Sequence, residues 1–260
     1  MKATAKRKVI AFDLDGTLSE SKSPISDTMA ILLGKLLQEY HVCIMSGGKF
    51  EQFEKQLLAN LKLDAKALSK LHIMPTCGTR YYRYQNKKWQ KLYAEDLTEL
   101  QKQKIIKALV DGAEKLGLAE KKTWGEVIED RGSQISWSAL GQDIVDHLGL
   151  KGVQMKEQWD PSHEKKRKLR DHVASAIPEF EVRTGGSSTI DVTKKGVDKA
   201  YGINKLLDML SISKEDVFFI GDRLEEGGND YPVKKMGVDC LSVSHWKETA
   251  QAIENILATA

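Results

Sequence analysis

Two aspartates separated by one residue, Asp13-Leu14-Asp15, stand directly after an apolar run at residues 9–12 and lead into Gly16-Thr17. Carboxylates at i and i+2 at a strand exit can address one centre, one pointing at it and the other reaching it from the side. One of them can then be a nucleophile while the other moves protons. The plainer alternative is an Asp-rich turn that binds nothing. A second acidic element, Gly221-Asp222 followed by Gly227-Gly228-Asn229-Asp230, comes after the apolar run at 217–220. Oxygen ligands converging from two strand ends suit Mg²⁺, a hard cation usually shared with substrate phosphate. A third element, Ser46-Gly47-Gly48, sits between the apolar run at 41–45 and a helical run from Phe50. A hydroxyl and main-chain N–H groups at a helix start cradle phosphate, although the same tripeptide also makes ordinary turns. The fourth is Lys199 in Gly196-Val197-Asp198-Lys199. It can neutralise a phosphate facing Asp13, or it can be a surface lysine on the helix that follows.

These residues need a frame that brings strand ends together. Apolar runs at 9–12, 41–45 and 71–74 are of strand length, and the first two precede helical patterns such as Met29, Leu32, Leu33, Leu36 and Leu37. Strand, helix, strand is the signature of a parallel sheet. The pattern resumes with strands at 217–220 and 240–243 and a closing amphipathic helix at 246–257. In such sheets ligands bind beyond the carboxyl ends of the strands, where all the acidic elements fall. The middle reads differently. Residues 80–83 and 88–93 predict a hairpin, 97–116 a helix, 129–139 one alternating strand, and 161–176 a basic helix with Pro161 in its first turn. Strands are predicted again near 179–183 and 188–192. The fold expected is α/β: a Rossmann-like, doubly wound parallel-sheet core of residues 1–84 and 189–260, with an α+β cap domain, 85–188, inserted into it.

Composition narrows the classes. The chain has 260 residues, 41% apolar and 30% charged, which suffices for a sizeable core and excludes overall disorder. A net charge of +3 does not by itself imply nucleic acid or an anionic membrane. The run Lys165-Lys166-Arg167-Lys168 lies beside Glu164 and Asp171 and reads as a solvated helix face. No segment approaches the roughly 18 apolar residues of a membrane span. The basic start, residues 1–8, meets Asp13 and Asp15 after a short apolar run, so no secretion signal is expected. Cys43, Cys77 and Cys240 are widely spaced, as reduced thiols of a cytoplasmic protein would be. No nucleic-acid or membrane partner is expected, and a homodimer through the inserted domain is left open.

The four elements in this order resemble the haloacid dehalogenase (HAD) superfamily, and the large insertion resembles the cap of its Cof-like subgroup. Gly185-Gly186-Ser187-Ser188-Thr189-Ile190-Asp191-Val192, then Gly196-Val197-Asp198-Lys199-Ala200-Tyr201, and Gly-Gly-Asn-Asp at 227–230 narrow the resemblance to eukaryotic-type phosphomannomutases. The resemblance implies Mg²⁺-dependent phosphoryl transfer on a small phosphosugar through an aspartyl phosphate. By it Asp13 is the nucleophile. Asp15 is the general acid/base and offers its main-chain carbonyl to the metal, whose other ligands are Asp13 and Asp222. Ser46, Gly47 and Lys199 bind the transferring phosphoryl, and Asn229 and Asp230 support the site. Arg131, Gln142, Thr189 and Asp191 meet the sugar phosphate. A mutase would also take a hexose 1,6-bisphosphate as activator. Two departures are visible. Gln142 stands about where the family has an arginine, and Ser46-Gly47-Gly48-Lys49 is closer to generic Cof-like phosphatases. A phosphosugar phosphatase, with water as acceptor, therefore stands beside the mutase. A binding protein without catalysis is disfavoured by the retention of Asp13, Asp15 and Asp222 together.

Overall fold

The computed structural model describes residues 7–259; most of the basic start, and with it the reading of no secretion signal, lies outside the described residues. The chain divides into two units. The first comprises residues 1–94 and 198–260, and the second, residues 95–197, is inserted into it.

Numbered along the chain, the first unit holds β1 (Val9–Asp13), β2 (His41–Met45), β3 (Leu71–Met74), β4 (Arg80–Gln85) and β5 (Lys88–Ala94). The insertion holds β6 (Ile128–Asp130), β7 (Gln134–Ser138), β8 (Phe180–Thr184) and β9 (Thr189–Lys194). The chain then returns with β10 (Val217–Gly221) and β11 (Asp239–Ser242). The large sheet runs β11-β10-β1-β2-β3-β4-β5, parallel from β11 to β3 and antiparallel beyond. All five side chains of β1 are buried, as a central strand covered on both faces requires. Alternation sends Ile10 and Phe12 to one face, with Leu33, Leu36 and Ile253 of the helices Asp27–Glu39 and Trp246–Ala258. Val9 and Ala11 go to the other, with Ile203 and Leu206 of the helix Lys199–Leu210. The sheet is thus doubly wound. The chain leaves β1 for β2 on one side and returns to β10 on the other, so the switch in strand order falls between β1 and β10, where an open sheet binds its ligand.

The inserted unit carries an antiparallel sheet of order β6-β7-β9-β8. Ile135, Trp137, Ile190 and Val192 pack on one face against Ile105 and Leu109 of the helix Glu99–Lys115 and Leu169 and Val173 of the helix Glu164–Ala176.

Both domain edges differ from those expected. Residues 85–94 belong to the first unit, because β4 pairs with β3 through His72↔Arg83 and Ile73↔Tyr82 and carries β5 with it. Residues 189–197 belong to the insertion, because β9 lies between β7 and β8. A strand's period does not say which sheet it joins; its hydrogen-bond partners decide. The single strand expected over 129–139 is also two, β6 and β7, folded back at Gly132, whose φ is 81°. The basic helix begins at Glu164, after Pro161, with Asp160 accepting from the N–H groups of Lys165 and Lys166. Lys166 is not part of a solvated face: it is buried, and its Nζ donates to the Gly186 carbonyl at 3.2 Å.

Candidate active site

Asp13 is the last residue of β1 and is buried. The backbone turns sharply after it: Gly16 N–H donates to the Ser19 carbonyl at 2.8 Å and Leu18 N–H to that of Leu14 at 2.9 Å. Gly16 takes φ 85°, and a Cβ there would lie 2.6 Å from Asp222 Oδ2, so conformation and space both call for glycine. Asp222 follows β10, the strand beside β1, and is thereby brought to the same place. Gly221 acts similarly for Asp230: a Cβ would stand 2.4 Å from Asp230 Oδ2. Asp230 is fully buried and accepts from the Arg223 N–H at 3.0 Å.

Lys199 opens the helix Lys199–Leu210, whose start is fixed by the Asp198 side chain accepting from Tyr201 N–H at 2.9 Å. Its ammonium is wholly buried. It donates to Asp13 Oδ1 at 2.5 Å and also to Asp230 Oδ1. Burial works against the lysine's charge, but the two carboxylates outweigh it and hold its pKa above the ordinary lysine value. Burial raises the Asp13 pKa well above the usual carboxylate range, with like charge from Asp230 and Asp222 adding and Lys199 opposing. Asp222 is raised too, by burial and then by Asp230.

Asp13, Asp222 and Asp230 each offer a carboxylate oxygen, and these oxygens all lie within 4.8 Å of one another. Three carboxylates against one ammonium leave excess negative charge in a buried place. A hard divalent cation with oxygen ligands fits that donor set. The metal set expected from the resemblance was Asp13 and Asp222 with the main-chain carbonyl of Asp15. The Asp230 carboxylate joins those of Asp13 and Asp222, and the Asp15 carboxylate is held by other groups. Its Oδ1 accepts from Lys22 N–H at 2.6 Å and Gln56 Nε2 at 3.1 Å, and its Oδ2 from Gln52 Nε2 at 2.8 Å. Sequence reasoning missed both glutamines. Their spacing of four on the helix Phe50–Gln56, which puts them on one face, was the available signal.

Ser46 follows Met45, the residue paired with Asp13 across β1 and β2, and is buried. Its Oγ accepts from Gly48 N–H at 3.1 Å, and its carbonyl accepts from Cys77 N–H at 3.0 Å. Gly47 lies within this turn, half-buried. Asn229 is exposed, one residue before buried Asp230.

The inserted unit places its candidates on the polar face of its sheet. Ser136 pairs with Asp191 and Ser138 with Thr189 across β7 and β9. Asp191 Oδ1 accepts from Ser136 Oγ at 2.5 Å, and Ser136 Oγ accepts from Gln134 Nε2 at 2.9 Å. Gln142 is buried and directs Nε2 to the carbonyls of Val127 and Ser136, each at 3.4 Å. Arg131 lies in the β6–β7 turn rather than on a strand, with Nε 2.8 Å from Glu129 Oε2. Gln134, Ser136 and Glu129 are further polar residues of this face that sequence reasoning did not single out as site residues.

The chain belongs to the haloacid dehalogenase-like hydrolases, whose family model matches residues 10–233. It is thus an enzyme acting on phosphate groups. Among relatives, a phosphomannomutase of Encephalitozoon cuniculi is 24% identical over 260 residues, covering 98% of this chain and 95% of that protein. Phosphomannomutase 1 of Homo sapiens is 25% identical over 239 residues, covering 89% and 85%. Among solved structures, the IMP-bound IMP-nucleotidase of Plasmodium falciparum superimposes with a TM-score of 0.72 at 17% identity, over 97% of this chain and 68% of that one. That likeness shows the fold. Among the described residues no helix is long and apolar enough to cross a membrane, and the three cysteines form no disulfide.

Proposed function

We propose that the chain carries out Mg²⁺-dependent phosphoryl transfer on a phosphosugar in the manner of a phosphomannomutase, interconverting mannose 6-phosphate and mannose 1-phosphate. The observation that carries the reading is the buried Asp13 carboxylate, 2.5 Å from the Lys199 ammonium and grouped with Asp222 and Asp230. An Asp13 oxygen attacks phosphorus, the bond from phosphorus to the sugar oxygen breaks, and Asp15 gives that oxygen a proton. In return, a hydroxyl loses its proton to Asp15 as it takes the phosphoryl from Asp13. Lys199 compensates phosphoryl charge, Ser46 and Gly47 hold its oxygens, and Asn229 supports the Asp230 segment. When bound by Asp13, Asp222, Asp230 and the Asp15 main-chain carbonyl, Mg²⁺ supplies charge neutralisation between the anionic nucleophile and phosphate. Arg131, Gln142, Thr189 and Asp191 are assigned to the sugar phosphate, and a hexose 1,6-bisphosphate to priming of Asp13. A reduced, cytoplasmic setting belongs to the same proposal, and a homodimer would be read out by sedimentation.

Gln142 favours a second reading, a phosphosugar phosphatase. A mutase must grip the phosphate that is not reacting, and glutamine lacks the bidentate cationic fork of arginine. Incubation with mannose 1-phosphate, with and without a hexose 1,6-bisphosphate, separates the two. Mannose 6-phosphate formed only with the bisphosphate supports the mutase, and free phosphate the hydrolase. Turnover of IMP in preference to either sugar would overturn both.

A further inference from the structure

We infer that Gln52 and Gln56 are positioning residues for the proton transfer by Asp15, and that they select a single carboxylate oxygen, Oδ2, to carry the proton. This rests on the Asp13 and Asp15 chemistry proposed above. An ionised carboxylate offers about four acceptor positions. Oδ1 has both of its positions filled, by Lys22 N–H at 2.6 Å and Gln56 Nε2 at 3.1 Å. Oδ2 accepts one bond, from Gln52 Nε2 at 2.8 Å, and keeps one position for a proton. The two amides therefore fix the plane of the carboxylate and reserve one oxygen for chemistry.

Two features are consistent with this arrangement. Gln56 is buried, and its Nε2 also donates to the Ser23 carbonyl at 3.0 Å, while its Oε1 has no partner among the described residues. A buried carbonyl without a donor is costly. Flipping the amide is no remedy, because its oxygen would then face the Asp15 carboxylate and the Ser23 carbonyl. The second feature is Gly48: a Cβ there would lie 2.0 Å from Gln52 Oε1. The glycine of the Ser46-Gly47-Gly48 turn thus makes room for the glutamine that holds Asp15.

A residue that positions the proton must matter most where the leaving oxygen needs one. The sugar hydroxyl of mannose 1-phosphate is a poor leaving group; p-nitrophenolate leaves without protonation. The test is single-turnover release of mannose or p-nitrophenol by the Mg²⁺-loaded protein. Gln52→Leu and Gln56→Leu should each lower the rate with mannose 1-phosphate about 30-fold further than the rate with p-nitrophenyl phosphate, within the range by which misplaced acid–base groups slow catalysis. In an Asp15→Asn background neither change should cost anything more on mannose 1-phosphate, since both act through Asp15. Equal losses on both substrates, no loss on either, or full additivity with Asp15→Asn would overturn the inference. So would faster transfer, which would mean that the glutamines hold Asp15 away from the reaction. If a leucine variant fails to fold, Gln52→Glu, which sets a carboxylate against Asp15, is read in the same way. Asp13→Asn is the separate control: transfer persisting in it would sink the proposed function itself, whatever the glutamine variants do.

Discussion

Each unit buries a cation beside carboxylates, and the two are held in different ways. Lys199 lies between Asp13 and Asp230, 186 and 31 residues away in the chain, so a strand end, a helix start and a loop must all be in place before the three meet. Arg131 pairs with Glu129, two residues away, across one tight turn. Its side chain is 9% exposed and that of Glu129 18%, against 0% for Lys199. The first arrangement is a property of sheet topology and cannot be altered piecemeal. The second is local, and one substitution can rewrite it without touching the sheet. That division separates a site fixed by the whole sheet from a pair that substitution can vary one residue at a time.

The strongest challenge to this contrast is removal of the nucleophile. Asp13→Asn should abolish turnover, a loss of at least about 10³-fold, because it removes the nucleophile of the proposed mechanism. A chelator should do the same to the parent protein, and Mg²⁺ should restore it. Asp13→Asn should also raise the melting temperature at neutral pH. Its carboxyl pKa is raised by burial, so above the ordinary carboxylate range the native state binds more protons than the unfolded one, and stability falls as pH rises from there. Turnover within tenfold of the parent would move the nucleophile elsewhere.

Lys199→Met tests the topological arrangement through stability. It leaves Asp13 and Asp230 buried without their cation, a type of change that typically costs 3–5 kcal/mol, so about that loss in urea unfolding is expected. Added Mg²⁺ should recover part of it by taking up the excess negative charge. A loss under about 1 kcal/mol, as for a surface pair, would mean that the cluster is not coupled to folding.

The local arrangement predicts a smaller and more selective effect. Arg131→Ala should cost roughly 2–3 kcal/mol in transition-state stabilisation, about 30- to 150-fold in kcat/KM on phosphosugars, if the guanidinium holds the phosphate that is not transferred. A small substrate such as p-nitrophenyl phosphate, without a second polar end, should lose far less. Glu129 competes for the same guanidinium, so Glu129→Gln should lower KM for the sugar phosphate. If Glu129→Gln raised KM, the pair would be a structural tie and Arg131 no phosphate ligand.

The same contrast explains what was legible in the sequence. Asp13, Lys199 and the Asp222–Asp230 segment stand at strand ends and a capped helix start, and periodicity marks such ends directly. The glycines marked them again, since Gly16 and Gly221 exist to let Asp222 and Asp230 come close. The partners of Asp15 were marked only by the spacing of four between Gln52 and Gln56, a weak signal because neutral amides on an amphipathic turn are ordinary. The assignment of β4, β5 and β9 to their sheets was not legible, since Tyr82 and Asp191 have the same alternation whichever neighbour they pair with. The helix Leu150–Trp159 went unread: Gly152 interrupts it and Leu150 is 73% exposed, so its apolar stripe is thin. Arg131 was placed on a strand because only Gly132, a single residue, marks the fold-back between β6 and β7.

The smallest expected effect separates the units by acid. In the first unit Arg83 Nη1 donates to Tyr81 OH at 3.1 Å, Tyr81 lies 2.8 Å from His72 Nδ1, and His72 Nε2 lies 2.9 Å from His41 Nδ1. With the guanidinium as donor, the protons run one way: tyrosine to His72, then His72 to His41. Both rings are neutral in that chain. Burial, with Arg83 next and then His41, pushes the His72 pKa down to about 2, and burial with Arg83 and Lys70 lowers that of His41. The unfolded chain therefore binds more protons than the native one below about pH 6.5, and stability conferred by a neutral His72 is lost as pH falls from there. His72→Phe forfeits both ring hydrogen bonds and should be less stable than the parent at pH 7.5. The gap should narrow by roughly 1 kcal/mol at pH 5.5, because phenylalanine has no proton to take up. Asp13 and Asp222 titrate in the opposite sense in both proteins and cancel in the difference. Amide exchange should place the change in β2, β3 and β4, with β7 and β9 of the inserted unit following the parent. A gap that stays constant between the two pH values would show that His72 accepts its proton within the fold, and that the acid sensitivity assigned to the first unit lies elsewhere.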